Sequence, residues 1–460
     1  MISFHSSYTS MKPAYWLVSL TFIVLPWLMM LNALPLLLFL FVAVVAMNIK
    51  DSKGVTFVIL SMALCLPHMS YKDSVVSLFY TTHFAWLNRA VYLSILVSLF
   101  LFLGKKERDR NVERIIKVYR IISICLILLT LRFGIVEVFN WFWSILVVPV
   151  FFWLCNKDRT SWSDLYYMFT VFFIFIALYG FLDFFFQINP YGSLLSRAIT
   201  LDDSFFVFKR AGGILGNPLL MVGFAIAYHV LLLVHYYRTG KFSLPLILLS
   251  LLVLIITGSR TAILSLLIVW FFYIVFLGQE GKAKMRPLFV MFIAGAIIYI
   301  LGGTSLSSYM DFFFSRFGEG SEHREAGIQT AINILNANPW GVGYAGTEDA
   351  FFNYAAEGFV KGMQTVDNTY LTFLITDGYL FLFPFLFYYY IPLNALRHSM
   401  KDRGYKLVVM LLVPYVVCGF AFNITSFMQL NILYMCLAGH LYHIVNKKNK
   451  NGSFNYNSKL

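Results

Sequence analysis

The sequence predicts an all-α, polytopic integral membrane protein, and three observations carry that prediction. Of its 460 residues, 60% are hydrophobic and only 12% are charged, with a mean hydropathy of +0.74. A soluble domain carries about 25% charged residues, so a soluble globular enzyme is excluded. Disorder would need low hydrophobicity, and a disulfide-stapled secreted fold would need dense cysteine in a short chain; neither fits. Apolar windows recur near residues 15–30, 33–49, 54–68, 85–103, 119–132, 136–155, 165–187, 214–236, 244–257, 261–277, 287–302, 378–396, 407–422 and 426–445. Some fall short of the roughly 20 residues a span needs, which gives roughly 12 to 14 transmembrane helices.

The formal charge of +13 is distributed in an orderly way. Basic clusters fall in every second loop: Lys105 to Arg120, Lys157 and Arg159, Arg238 and Lys241, Lys282 to Arg286, Arg397 to Lys406, and Lys447 to Lys450. By the positive-inside rule these loops and both termini are expected to be cytoplasmic, so the charge reflects topology and calls for no nucleic-acid partner. The other set of loops is then external: residues 188–213, the turn at 258–260, the long acidic stretch 303–367, and a short turn at Asn423. The first apolar run lacks a small-residue cleavage site and is followed at once by another, as expected of a retained first helix.

This pattern divides the chain into N-terminal helices (1–205), central helices with external arginine motifs (206–302), a large external loop (303–368), C-terminal helices (369–446) and a cytoplasmic tail (447–460). The cysteines are scattered in apolar spans without CxxC spacing, and no HExxH, Walker loop or strand-associated GxGxxG occurs. No metal or other cofactor is expected. Any reaction would draw on a pre-activated substrate or a gradient.

The informative residues gather at the predicted outer face. Arg210 opens Arg210-Ala211-Gly212-Gly213-Ile214-Leu215-Gly216-Asn217-Pro218. Glycines there let backbone approach a ligand, and Asn217-Pro218 reads as an N-cap followed by proline at N1. Arg260 lies in the turn Thr257-Gly258-Ser259-Arg260-Thr261, with Ser259 a candidate cap for the next helix. A guanidinium beside a helix N-terminus suits a phosphate, although an arginine snorkelling to lipid headgroups has the same signature. Arg324 begins a predicted surface helix, 322–337, on which Ile328, Ala331, Ile332 and Leu335 form an apolar stripe. Stepping back four residues from Ile328 puts Arg324 on that stripe's face.

The surface helix runs into Asn338-Pro339-Trp340-Gly341-Val342-Gly343, a turn-rich segment that stops it. The chain re-enters apolar sequence at Val366-Asp367-Asn368-Thr369-Tyr370-Leu371. Asp367, a carboxylate at a membrane boundary near arginines, is a candidate base or acceptor-orienting group. It is equally a candidate N-cap for the helix beginning at Thr369. Glu325 and Glu348 are secondary candidates for the base.

In order and spacing, the Arg210 run, the Arg260 turn, the Arg324 helix with its Asn-Pro-Trp-Gly-Val-Gly exit, and Asp367-Asn368-Thr369-Tyr370-Leu371 followed by Asp377-Gly378 resemble the bacterial O-antigen ligase and polymerase superfamily (WaaL and Wzy types). The resemblance covers about residues 205 to 385. It implies a GT-C-like helical fold in the bacterial cytoplasmic (inner) membrane and an undecaprenyl-diphosphate-linked oligosaccharide substrate. Membrane lipids would surround it, with a chain-length regulator and a flippase as candidate partners. It also implies that Arg210, Arg260 and Arg324 hold the donor diphosphate while a base deprotonates the acceptor hydroxyl. Ligases usually carry His-Asn where this chain has Asp367-Asn368, which favours a polymerase of O-antigen, capsule or exopolysaccharide.

Two other functions fit the same composition. A ligase would move the glycan to lipid A core or to protein. A lipid-linked oligosaccharide flippase would place its charges near the midplane, with paired broken helices, whereas the notable charges here lie at one face. A non-catalytic assembly scaffold is the remaining alternative.

Overall fold

The computed structural model describes residues 110–158, 160–186, 211–215, 217–277, 321–357, 368–421, 423–424 and 428–450, with isolated positions between 289 and 296. Four expected spans before residue 104, nearly all of the one near 287–302, and both Arg210 and Asp367 lie outside the described residues. Every regular element among the described residues is helical. Three of these helices are long and apolar enough to cross a membrane: Trp162–Phe186, Pro218–Thr239 and Arg403–Phe420. The described residues fall in two compact units, one within Lys157–Ser259, the other within residues 110–156 and 260–450.

In the first unit, α3 (Trp162–Phe186), α4 (Pro218–Thr239) and α5 (Leu244–Ile256) pack together. Helix α4 is apolar on all sides and is correspondingly the unit's centre, with Leu220 to Val234 buried. Its aromatic contacts with α3 are close: the Phe173 and Tyr228 rings stack at 4.0 Å, and Phe169 lies 4.9 Å from Phe224. At the other end Arg238 stands 5.1 Å over the Trp162 ring, as expected where α3 begins and α4 ends on one side. Gly240, left-handed at φ 68°, closes α4 by donating its N–H to Tyr236 O. Helix α5 has 13 residues. At about 1.5 Å per residue it is roughly 20 Å long, shorter than a bilayer core of about 30 Å.

The second unit contains α1 (Arg110–Leu131), α2 (Ile135–Asn156), α6 (Arg260–Phe272, continued by a π turn to Leu277), α7 (Ser321–Ala337), α8 (Thr347–Tyr354), α9 (Thr369–Asp377), α10 (Leu382–Ser399), α11 (Arg403–Ala421) and α12 (Met428–Lys450). Helices α2 and α12 pack most tightly, because Gly439 lies against the backbone of Phe152 and Asn156; a Cβ there would sit 3.0 Å from Phe152 C. Asn156 Nδ2 then donates to Gly439 O at 3.1 Å. Tyr–Asn pairs join further helices, Tyr415 to Asn431 at 2.7 Å and Tyr442 to Asn394 at 3.0 Å.

Two boundaries differ from expectation. The basic cluster read as a loop is helical from Arg110, since Val112, Ile115, Ile116 and Tyr119 recur at helical spacing and are buried, while Lys117 pairs with Glu113 at 3.1 Å. The predicted surface helix forms as α7, but its packed face is not the predicted stripe. Ala326, Thr330, Ala331 and Ile334 are buried, while Ile328 and Ile332 are 45% and 42% exposed. Small residues win because they let α7 lie close on α8 and α9, in a core shared with Ala350, Phe351 and Ile375. The face assigned to Arg324 was counted from Ile328, so it does not follow from the packing.

Candidate functional site

In the first unit the segment after Arg210 is tied down residue by residue. Ala211 N–H donates to Ile256 O at 3.1 Å. Gly212 and Gly213 N–H both donate to Asp183 Oδ2, at 3.0 and 2.9 Å. Asp183, in the last turn of α3, is 1% exposed. This corrects one expectation: both glycine N–H groups are occupied by a carboxylate of the chain itself. Gly213 instead permits a close approach, with φ 53° and only 3.3 Å between the place of a Cβ and Gly180 N.

Asn217 acts as foreseen. Its side chain accepts from Leu219 N at 2.8 Å, with Pro218 in the first turn of α4. Beyond Ile256, Gly258 turns at φ 58° and donates to Ile255 O, and Thr257 Oγ1 donates to Leu254 O at 2.6 Å. Ser259 is buried at 4% in the position before the first residue of α6, Arg260. The Ala211–Ile256 bond therefore joins the segment that follows Arg210 in sequence to the end of α5 through main chain.

In the second unit the Asn338–Gly343 segment crosses the C-terminal end of α9. Val342 N donates to Ile375 O and Gly343 N to Thr376 O, both at 3.0 Å, while Tyr379 N donates to Pro339 O at 2.9 Å. The motif glycines are the contact points. A Cβ on Gly341 would lie 2.6 Å from Thr376 C and 2.7 Å from Asp377 C, and one on Gly378 would lie 2.5 Å from Gly341 N. Gly343 faces the Phe133 ring, where a Cβ would be 2.8 Å from its Cγ.

That contact brings in a residue the sequence reading missed. Arg132, in the turn between α1 and α2, reaches the end of α9: its Nη2 is 3.9 Å from Asp377 Oδ1 and donates to Asp377 O at 3.4 Å. The guanidinium also lies 4.3 Å over the Phe133 ring. Partial burial lowers its pKa, and the Asp377 carboxylate opposes that shift. Asp377 is further held by Thr376 Oγ1 at 2.8 Å. A cation at a helix C-terminus is favourable.

Asn368, and not Asp367, is the N-cap of α9. Its Oδ1 accepts from Tyr370 N and Leu371 N at 2.9 and 3.1 Å, and its Nδ2 donates to Phe420 O at 3.3 Å. The next residues add to the same attachment: Thr369 Oγ1 accepts from Ile424 N at 2.8 Å and Tyr370 OH donates to Val416 O at 3.0 Å. An Asn368→Ala change is expected to destabilise the protein by about 1 to 2 kcal/mol. Asn368→Asp, which keeps the acceptor and loses the donor, should recover part of that in detergent unfolding.

Of the other expected site residues, Arg260 and Arg324 are placed by backbone alone, in the first turns of α6 and α7. Glu325 and Glu348 are exposed on α7 and α8. Residues 245–386 match a family model described as O-antigen ligase, a span that takes in the Arg260 turn, α7, the glycine crossing and α9. None of the curated proteins matches the chain.

Proposed function

We propose, from the match of residues 245–386 to the O-antigen ligase family model, that the chain belongs to the O-antigen ligase and polymerase superfamily and is a polysaccharide polymerase at the outer face of the bacterial cytoplasmic membrane. It transfers a growing undecaprenyl-diphosphate-linked glycan onto a lipid-linked repeat unit. The acceptor hydroxyl attacks the anomeric carbon of the donor, the bond to the diphosphate oxygen breaks, and undecaprenyl diphosphate leaves. Asp367 takes the hydroxyl proton. Arg210, Arg260 and Arg324 stabilise the charge on the departing diphosphate, and the activated glycosyl–diphosphate bond of the donor supplies the driving force without a nucleotide.

The observation that best supports this reading is the Ala211–Ile256 hydrogen bond, which holds the Arg210 segment against the helix that ends just before Arg260. Two guanidinium groups suit a diphosphate better than one isolated arginine does. Asn217 caps α4, giving that helix a fixed start beside the Arg210 loop. Asp367 in place of the usual ligase histidine favours chain growth over transfer to a different acceptor. The test is acceptor choice. Purified protein given lipid-linked repeat units alone should yield a ladder of products, whereas product formation only after lipid A core is added would identify a ligase.

A further inference from the structure

We propose that Asp183 is the positioning residue of the Arg210 loop, a role that rests on the diphosphate reading of Arg210. A carboxylate in an apolar stretch of helix is costly to bury and is retained where its hydrogen bonds are worth having. Asp183 is 1% exposed, and one oxygen, Oδ2, accepts both the Gly212 and Gly213 N–H groups at 3.0 and 2.9 Å. Successive N–H groups on glycines are an arrangement that binds anions. Here the anion is the protein's own, so these N–H groups serve to anchor the loop and leave the ligand to the guanidinium.

The anchoring leaves little slack. The place of a Cβ on Gly213 is 3.4 Å from Gly180 Cα, and a Cβ on Gly180 would collide with the Met221 side chain, so loop, α3 and α4 meet without spare volume. Ala211 is held by Ile256 O at 3.1 Å. The three residues following Arg210 are thus fixed in sequence, and Asp183 supplies the acceptor for two of them. It touches no substrate. Its contribution is to hold residues 211–213, the chain that follows Arg210 in sequence.

The experiment is a double-mutant cycle on the full-length protein in detergent, with lipid-linked repeat units as substrate. Asp183→Ala should lower kcat/KM about tenfold or more, because displacing a charge-stabilising group by an ångström has effects of that order or larger. Asp183→Asn keeps an acceptor oxygen in place with weaker, uncharged bonds, and should stay within about threefold of wild type. On an Arg210→Ala background, Asp183→Ala should add less than about twofold, since it acts through the residue already removed. A purely structural Asp183 would lower the unfolding midpoint and multiply its kinetic effect onto Arg210→Ala, which would overturn the proposal. So would an unchanged kcat/KM in Asp183→Ala. Should that variant not fold, Asp183→Ser, with a shorter acceptor, carries the same cycle. Wild-type kinetics in Arg210→Ala alone, with Asp183 intact, would remove the diphosphate reading itself, and is thereby distinguishable from failure of the positioning role.

Discussion

Alanine at Gly341 or Gly378 is expected to be the most damaging single-methyl change in the described residues. Both glycines have positive φ, 83° and 61°, and each places its missing Cβ inside the main chain it crosses. A left-handed L-residue costs roughly 1 to 2 kcal/mol, and forcing atoms into filled space adds roughly 1 to 3 kcal/mol. Backbone cannot rotate aside as a side chain does, so the crossing must open. That would release Val342 and Gly343 from Ile375 and Thr376, and with them the position of Asp377 beneath Arg132. A cost of about 3 kcal/mol or more is expected, with activity down about 100-fold. Gly240→Ala is the control: its φ is 68°, yet nothing lies within 4 Å of its Cβ. It should cost only about 1 kcal/mol. Unfolding midpoints in detergent compare the three, and equal losses would show that φ alone matters.

Arg260→Ala carries the second large effect. Under the proposed mechanism its guanidinium acts on the leaving diphosphate, a group whose charge grows as the glycosidic bond breaks. Removing one such donor typically costs 10² to 10³ in kcat, about 3 to 4 kcal/mol. Arg260→Lys keeps the charge and loses the fork of donors, so a loss of roughly tenfold is expected. Initial rates with saturating lipid-linked substrate test this. Retention of rate in Arg260→Ala, with weaker membrane association only, would mark the residue as a headgroup anchor.

Much of the local fold was legible because helix termini carry their own chemistry. Asn217-Pro218 announced a cap and a first turn, and both are present. The apolar window at 244–257 forms the helix Leu244–Ile256, and the helix expected at 322–337 is Ser321–Ala337. Hydropathy marks ends well because apolar runs must stop at polar turns. It marks faces poorly on α7, where Ala326, Thr330 and Ala331 pack inward beside Ile334 while Ile328 and Ile332 stay exposed, since closeness of approach there outweighs the size of each side chain.

The site was legible in part for a related reason. Residues that open a helix after a polar stretch stand out, as Arg260 and Arg324 do in the first turns of α6 and α7. Arg132 follows a helix, and its partner Asp377 lies 245 residues away, a pairing no local pattern contains. Asp183 is a single acid amid Phe and Leu, and its meaning appears only once Gly212 and Gly213 are folded onto it. Asp367 looked like the cap of α9 by composition, yet Asn368 has the reach to accept from Tyr370 and Leu371 while donating to Phe420. The glycines of the Trp340 segment read as turn formers and prove to be crossing points as well.

The measurement closest to the central claim is the release of undecaprenyl diphosphate from lipid-linked repeat units by purified protein without nucleotide, for wild type beside Arg260→Ala. One diphosphate lipid freed for each linkage formed, with release lost in the variant, is the predicted result. No release by the wild type, with intact lipid-linked substrate instead crossing the bilayer of reconstituted vesicles, would contradict it and make the protein a transporter.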